Sequence, residues 1–141
     1  MGLLLCLSLY CMLIIGDDDQ IMAGDLNFRL DETNLDEVFK GISNGAKSND
    51  YSVLVAKDQL QDLINKKILF LNYQEAPICF PPTFKLEKKE KGMCLDFSNM
   101  EDIRCVYKTK AADHSVRIPS YVDRIIWHSL PGCNELFQVA G

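Results

Sequence analysis

Two polar side chains near the start of the chain have the right chemistry to act on a phosphate ester. Asp25 and Asn27 follow a short apolar run, Ile21-Met22-Ala23. Period-two alternation along a strand would send both side chains to the same side. There, a carboxylate can orient or deprotonate water, and an amide can donate hydrogen bonds to a phosphoryl oxygen. Both residue types are also common in turns, so this pair alone leaves both interpretations open.

Hydrolysis of a phosphate monoester also needs positive charge, because an approaching nucleophile and the phosphoryl oxygens repel each other. The net charge is −5, yet residues 85–124 hold nine Lys or Arg against seven Asp or Glu. This local excess permits either a site for a phosphorylated ligand or a solvated lysine-rich loop. It is too small for a nucleic-acid surface, so we expect no nucleic-acid partner. The candidate cations are Lys85, Lys108, Lys110, Arg117 and Arg124.

The elements that must position these groups are predicted to be short strands and amphipathic helices. A buried strand is predicted over 20–23, with Gly24 at its end. Apolar residues at helical spacing predict a helix that begins after Asn34 as N-cap and stops at Asn44-Gly45. A second helical stretch is predicted from 49 to 64, with a break near Lys57.

The later part of the chain reads as loops followed by one strong strand. Residues 68–73 suit a strand or a hydrophobic turn, and the three prolines at 77, 81 and 82 exclude regular helix around them. Residues 86–102 lack periodicity and predict a mobile surface loop. Strands are predicted at Val106-Tyr107 and over 122–127.

The first fifteen residues form a separate apolar segment that allows three interpretations. Leu3 to Ile15 is almost continuously apolar, but it is too short to span a bilayer. It is a signal-like or anchoring segment, a buried strand, or an artefact of the gene model, and the last two are favoured because the basic start of a signal peptide is missing. The six cysteines have no zinc-like spacing, and their context favours free thiols in a reducing compartment.

Four ordered motifs resemble those of the inositol polyphosphate 5-phosphatases. They are Gly-Asp-Leu-Asn-Phe-Arg at 24–29, Lys-Asp-Gln-Leu at 57–60, Phe-Pro-Pro-Thr-Phe-Lys at 80–85, and Arg-Ile-Pro-Ser-Tyr-Val-Asp-Arg-Ile-Ile-Trp at 117–127. The resemblance covers roughly residues 20–130. It implies the DNase-like endonuclease/exonuclease/phosphatase fold, an α/β (α+β) sandwich of two mainly antiparallel sheets flanked by helices. It also implies Mg²⁺-dependent removal of a 5-phosphate from a phosphoinositide lipid or a soluble inositol polyphosphate.

The same resemblance assigns roles to individual residues. Asp25 matches the acid that positions the attacking water, and Asn27 matches the amide that holds the scissile phosphate. Lys85 and Arg117 match residues that contact the neighbouring 4-phosphate, while Phe84 replaces a more usual tyrosine and so lacks its hydroxyl. The remaining assignments are Lys110 in a substrate-side loop, Arg29 as a supporting residue of the first motif, and Asp123 with Arg124 as a pair that braces the site through a buried ion pair.

Two expected parts of the family's site have no match. The upstream Asn and Glu that hold the metal are not found in residues 1–20, and the closing Ser-Asp-His element is not found before Gly141. We therefore expect residues 16–141 to be the middle and later part of a catalytic domain, without metal ligands and inactive alone. The alternative is a natural short form that binds phosphoinositides without hydrolysing them. Lipid substrates imply a cytoplasmic protein that is peripheral at membranes, with secretory targeting as the minor alternative.

Overall fold

The computed structural model describes residues 3–7, 10–15, 19–87, 96–112 and 114–129. The chain divides into two compact units. We call Met1–Leu26, Leu63–Pro77 and Asp123–Gly141 the sheet unit, and Asn27–Asp62 with Ile78–Val122 the helical unit. Predictions for residues 88–95 and for the tail from 130 onward lie outside the described residues.

The sheet unit is built on one antiparallel five-stranded sheet. Its strands lie in the order β1-β2-β3-β5-β4. They are β1 Leu3–Leu7, β2 Tyr10–Ile15, β3 Asp19–Asp25, β4 Gln74–Glu75 and β5 Asp123–His128. The predicted antiparallel sheet and helices are thus confirmed. Among the described residues, a second sheet is represented only by isolated bridges in the helical unit, such as Phe84 with Ser120.

The first fifteen residues contribute β1 and β2, so this part of the apolar segment is extended and paired in the sheet. Whether it also carries a targeting signal stays a prediction. No helix within the described ranges combines the length and apolar character needed to cross a bilayer.

The strands β3 and β5 lie beside each other and carry two of the sequence motifs. Both predicted strands are confirmed, with ends shifted by one or two residues. Gly24 does not end β3 as predicted, because it stays in the ladder opposite Arg124 and Asp25 pairs with Asp123. The prediction that Asp25 and Asn27 share one side of a strand was wrong. β3 ends at Asp25, and Asn27 has a left-handed backbone with φ 58°.

Helix α1, Leu35–Ser48, opens the helical unit and begins as predicted. The side chain of Asn34 accepts hydrogen bonds from the backbone N–H groups of Asp36 and Glu37. The predicted stop at Asn44-Gly45 was wrong, because the helix continues to a left-handed cap at Asn49. Gly45 serves packing instead: a Cβ there would lie 2.5 Å from Cδ1 of the buried Tyr51 ring.

The second helical stretch is broken near Lys57, as predicted. Its two parts are α2, Ser52–Val55, and α3, Gln59–Asn65. The buried side chain of Asp58 accepts a hydrogen bond from the Gln61 N–H, 3.0 Å between donor and acceptor, and so caps α3. Residues 68–73 form the hydrophobic turn rather than the strand.

Helix α4, Met100–Val106, lies where the sequence predicted a loop and a strand. The mobile loop predicted over 86–102 is replaced by helix from Met100 onward, and the strand predicted at Val106 is the last turn of this helix. Asn99 caps the helix through Glu101 N, while buried Ile103 and Val106 lie three residues apart on one face. Tyr107 forms only an isolated bridge to Leu86. The short apolar spacing was hidden among charged residues, which is why the pattern was missed.

The helices and the loops around them enclose the core of the helical unit. Tyr107 is buried in this core, and its ring stacks on that of Phe39 with centroids 6.4 Å apart. The Tyr107 hydroxyl donates a hydrogen bond to the Pro82 carbonyl at 2.6 Å. Burial raises its pKa. The buried members of this core are Leu30, Val38, Phe39, Ile42, Tyr51, Leu54, Ile103, Val106, Tyr107 and Tyr121.

Candidate functional site

Ser120 joins three of the sequence motifs within the helical unit. Its Oγ accepts a hydrogen bond from the Leu30 N–H at 3.1 Å and donates to the Ile118 carbonyl at 3.0 Å. Its backbone exchanges two hydrogen bonds of 3.0 Å with Phe84. Because Ser120 is fully buried, these bonds are shielded from water. The segments that begin at Arg29, Phe80 and Arg117 are therefore held against one another.

Arg29 connects the first motif to the third. Its guanidinium carbon lies 4.0 Å from the centre of the Phe84 ring, within the range of a cation–π contact. Its Nη2 donates a hydrogen bond to Oδ1 of Asn27. The backbone of Arg29 is fixed by Gln59, whose Oε1 accepts from the Arg29 N–H at 3.1 Å and whose N–H donates to the Arg29 carbonyl at 3.0 Å. These contacts hold Arg29 between the two motifs, and its supporting role in the site stays a prediction.

Asn27 is exposed and its amide has a defined orientation. The contact with Arg29 uses the amide oxygen, so the Nδ2 donor points away from the guanidinium. A left-handed backbone is one that asparagine tolerates better than most residues. The role of holding the scissile phosphate, which the sequence resemblance gives Asn27, stays a prediction.

An open cleft of about 410 Å³ lies in the helical unit beside these residues. It is lined by two guanidinium side chains, a serine and four apolar residues, and no carboxylate is among the lining residues. Arginine forks bind phosphate through paired hydrogen bonds, so the cleft has the composition of an anion site. The lining residues are Arg29, Leu30, Phe84, Val116, Arg117, Ile118 and Ser120.

Arg117 lines the cleft next to Val116, which forms an isolated antiparallel bridge with Lys110. Its N–H donates to the Thr109 carbonyl at 2.7 Å, and its Nη1 donates to the Lys110 carbonyl at 3.4 Å. Lys110 is exposed at this bridge, and Lys85 is exposed next to Phe84. Neither lysine lines the cleft, so their assignment to substrate binding stays a prediction.

Asp25 and Asp123 belong to the sheet unit. They are the last register pair of β3 and β5, so their side chains leave directly opposite backbone positions. Asp25 is partly buried and Asp123 is exposed. Asp25 is separated from Asn27 only by Leu26 along the chain. The catalytic role of Asp25 stays a prediction.

Arg124 forms a buried ion pair with Glu75, not with Asp123 as predicted. The Nε and Nη2 atoms of Arg124 lie 2.7 and 2.5 Å from the two carboxylate oxygens of Glu75. Consecutive strand residues point to opposite faces, which explains why Asp123 is exposed while Arg124 is buried. The expected bracing role of Asp123 with Arg124 is corrected accordingly.

Three contributors were missed by sequence reasoning. Ser120 and Gln59 lie inside motifs that had been recognised, but their side-chain contacts depend on distant segments. Glu75 carried no signal, because its partner is 49 residues away in the chain.

Another contact from the second motif joins Lys57 Nζ to Glu32 at 2.5 Å, and this bond lowers the pKa of Glu32 to about 2.

A metal site is not formed by the residues that the structure describes. No three of their His, Cys, Asp or Glu side chains come together in a group that could hold an ion. Asp25 and Asp123 supply two carboxylates at one end of the strands, which is fewer than the ligands a divalent cation usually takes from a protein. The described part of the chain therefore does not by itself fit a divalent cation.

The geometry agrees with what known proteins indicate. The sequence profile of endonuclease/exonuclease/phosphatase family 2 matches residues 13–139, and the chain belongs to this family. It is 30% identical over 118 residues to phosphatidylinositol 3,4,5-trisphosphate 5-phosphatase 1 of Xenopus laevis. Its structure also resembles the inositol polyphosphate 5-phosphatase domain of spsynaptojanin, solved with inositol (1,4)-bisphosphate and calcium, with a TM-score of 0.59 and 28% identity. The resemblance to inositol polyphosphate 5-phosphatases is thus confirmed.

These similarities concern part of each relative. The match covers 84% of this chain but 10% of the Xenopus protein, and 83% of this chain but 28% of the synaptojanin chain. A Cimex nitrophorin mutant, solved as a ferrous NO complex, is also similar, with a TM-score of 0.53, 27% identity, and coverage of 82% of this chain and 32% of that one. A similar fold therefore occurs in proteins with different ligands, and function must be argued from the site.

Proposed function

We propose that this chain is part of the catalytic domain of an inositol polyphosphate 5-phosphatase. The observation that carries the proposal is the cleft in which Arg29 and Arg117 present positive charge while Arg29 orients the amide of Asn27. The Xenopus relative, named as a phosphatidylinositol 3,4,5-trisphosphate 5-phosphatase, supports a phosphoinositide or a soluble inositol polyphosphate as the substrate class.

In this proposal each residue has a defined part. Asp25 accepts a proton from water or orients it, the water oxygen attacks phosphorus, and the bond from phosphorus to the inositol oxygen breaks. The leaving inositol oxygen takes up a proton from solvent water and departs as a hydroxyl, and the proton on Asp25 returns to solvent. Asn27 donates its Nδ2 hydrogens to a phosphoryl oxygen, and Arg117 binds a neighbouring phosphate. We propose that the complete domain depends on Mg²⁺.

The proposal includes the location of the reaction and the state of this chain. A lipid substrate places the work at the cytoplasmic surface of membranes, where the protein is peripheral. We propose that the 141-residue chain alone binds the phosphorylated head group without turnover, because the described residues do not form a metal site.

Phosphate release tests the catalytic part. The product of the full transcript is assayed with phosphatidylinositol 3,4,5-trisphosphate and Mg²⁺, beside a form in which Asp25 is replaced by Asn. We expect release from the parent and a loss of at least about a hundredfold in D25N. Asp31→Asn, an exposed carboxylate outside the cleft, is the matched control. Equal rates for the parent and D25N would contradict the role of Asp25.

A second candidate is a natural short form that captures phosphoinositides without hydrolysing them. The arginine-lined cleft favours it, because binding needs only the helical unit's cations. It predicts affinity for head groups and no phosphate release from any product of the gene, even at high Mg²⁺. Turnover by a longer product would exclude this candidate.

A further inference from the structure

An exposed apolar turn in the sheet unit is not explained by the cleft or by hydrolysis. Residues 66–72, the apolar turn, read Lys-Lys-Ile-Leu-Phe-Leu-Asn. Ile68, Leu69 and Leu71 are 63%, 44% and 60% exposed. Three large aliphatic side chains within four residues are costly to leave in water, so their exposure calls for a partner.

The backbone of the apolar turn is ordered by hydrogen bonds, so these side chains are presented in a fixed way. The N–H of Lys67 donates to the Ile64 carbonyl, and the N–H of Ile68 donates to the Leu63 carbonyl, both at 3.0 Å. Left-handed backbone at Lys67, Phe70 and Asn72 reverses the chain direction within a few residues.

The base of the turn is anchored on the sheet. Tyr73 donates its N–H to the Phe70 carbonyl at 2.9 Å, and the two rings meet edge to face with centroids 5.5 Å apart. The Tyr73 hydroxyl bonds the side chain of Gln20 on β3, and its ring lies near His128 of β5. Phe70 is therefore committed to holding the turn, whereas Ile68, Leu69 and Leu71 face outward.

The charge beside these side chains favours one partner. Residues 63–73 contain Lys66 and Lys67 and no Asp or Glu. Lysines next to exposed aliphatic groups suit an anionic lipid surface, where the apolar groups enter the acyl region and the ammonium groups stay at the head groups. Each lysine near an anionic leaflet strengthens binding by about fivefold.

We propose that the apolar turn inserts into anionic membranes and holds the sheet unit at the bilayer surface. This inference deepens the proposed function, since it rests on the membrane as the place of work, but it concerns a surface outside the cleft. Ile68, Leu69 and Leu71 provide the insertion, and Lys67 provides electrostatic attraction to the lipid head groups.

Vesicle binding by the full chain tests this proposal, with vesicles of a roughly 4:1 mixture of phosphatidylcholine and phosphatidylserine. We expect Ile68→Ser to weaken binding about tenfold, because one aliphatic side chain no longer enters the bilayer. Val53→Ser is the matched control, since Val53 is 67% exposed on α2 outside the turn, and it should bind like the parent. Asparagine tolerates the left-handed backbone at position 67, so Lys67→Asn removes the charge without straining the turn. This variant should bind these anionic vesicles about fivefold more weakly, and its binding to vesicles without anionic lipid should be unchanged. Equal binding by I68S and V53S would overturn the proposal.

The depth to which the apolar turn enters the bilayer is measured separately from binding affinity. A tryptophan placed by Leu71→Trp should be quenched by lipids brominated in their acyl chains, beyond the background of Trp127, whereas Val53→Trp should not. Absence of this quenching overturns the proposal. The proposal is also overturned if the parent is a dimer without lipid and I68S is a monomer, because the turn would then be a contact between copies of the chain.

The two proposals fail in different ways. Binding of a soluble inositol polyphosphate depends on the cleft alone, so I68S should leave it unchanged while Arg117→Ala weakens it. Binding to phosphatidylserine vesicles without phosphoinositide depends on the turn, and R117A should retain it. Undiminished binding of I68S to phosphatidylserine vesicles, with head-group binding still weakened in R117A, would overturn the membrane role of the turn and leave the proposal for the cleft standing.

Discussion

The guanidinium of Arg29 lies over the ring of Phe84, 4.0 Å from its centre, and so joins two motifs that are far apart in the sequence. The same guanidinium donates to the amide oxygen of Asn27. One side chain thus positions both the aromatic wall of the cleft and the amide proposed to hold the scissile phosphate.

Replacing Arg29 by Lys should weaken binding of a soluble inositol polyphosphate about fivefold. Lysine keeps the charge but loses the planar face that stacks on Phe84 and the fork that reaches Asn27. Calorimetric titration of the parent, Arg29→Lys, Phe84→Leu and the double variant measures the coupling. We expect the double variant to lose less affinity than the two single losses combined, and simple additivity would contradict the contact.

Ser120→Ala should lower the free energy of unfolding by about 1–3 kcal/mol. The buried N–H of Leu30 would lose its side-chain acceptor. Urea unfolding measures the change, and faster hydrogen exchange at the Leu30 amide locates it. Ser48→Ala on the exposed end of α1 is the control, with an expected change within about 0.5 kcal/mol. An unchanged Leu30 exchange rate in S120A would argue against this bond.

The buried pair between Arg124 and Glu75 should respond strongly to the loss of either member. Glu75→Gln or Arg124→Met leaves one buried charge without its partner, which costs about 3–5 kcal/mol. The side chains are 1% and 6% exposed, so solvent screens little of this effect. The double variant should recover part of the loss in urea unfolding, whereas equal stability of all four proteins would refute the pair's importance.

Acid should remove the stabilisation that Glu32 provides. Its hydrogen bond to Lys57, followed by those from the Asn34 and Thr33 backbone, lowers its pKa from 4.5 to about 2. A folded-state pKa below the unfolded value means that the contribution is present above pH 4.5 and is lost as pH falls towards 2. The stability difference between the parent and Glu32→Gln should therefore shrink over this range. A difference that stays constant from neutral pH to pH 2 would contradict the bond.

The strongest local patterns predicted much of the fold. Asn34 as an N-cap, the break near Lys57 and the two central strands were all readable, because caps and apolar periodicity act over a few residues. The predictions failed where the local structure depends on contacts between residues that are far apart in the sequence. Gly45 resembled a helix stop, but the helix continues to Ser48, and the missing Cβ at Gly45 leaves room for the Tyr51 ring.

The candidate site was predictable as a set of residues but not as a geometry. The motifs gave Asn27, Phe84 and Arg117 as candidate site residues. In the structure, the segments that contain them are held together by the hydrogen bonds of Ser120. Sequence spacing carried no information about which side chain pairs with Arg124, because Glu75 lies on a neighbouring strand. Pairings of this kind depend on strand order, which local patterns do not encode.

Titration of the 141-residue chain with a soluble inositol polyphosphate tests the central claim, that the arginine-lined cleft binds phosphorylated inositol. Arg117→Ala removes a cleft guanidinium, and Lys47→Ala removes an equal charge from the exposed end of α1. We predict that R117A binds at least about tenfold more weakly than the parent, while K47A binds as the parent does. Equal affinity of R117A and K47A would contradict the claim.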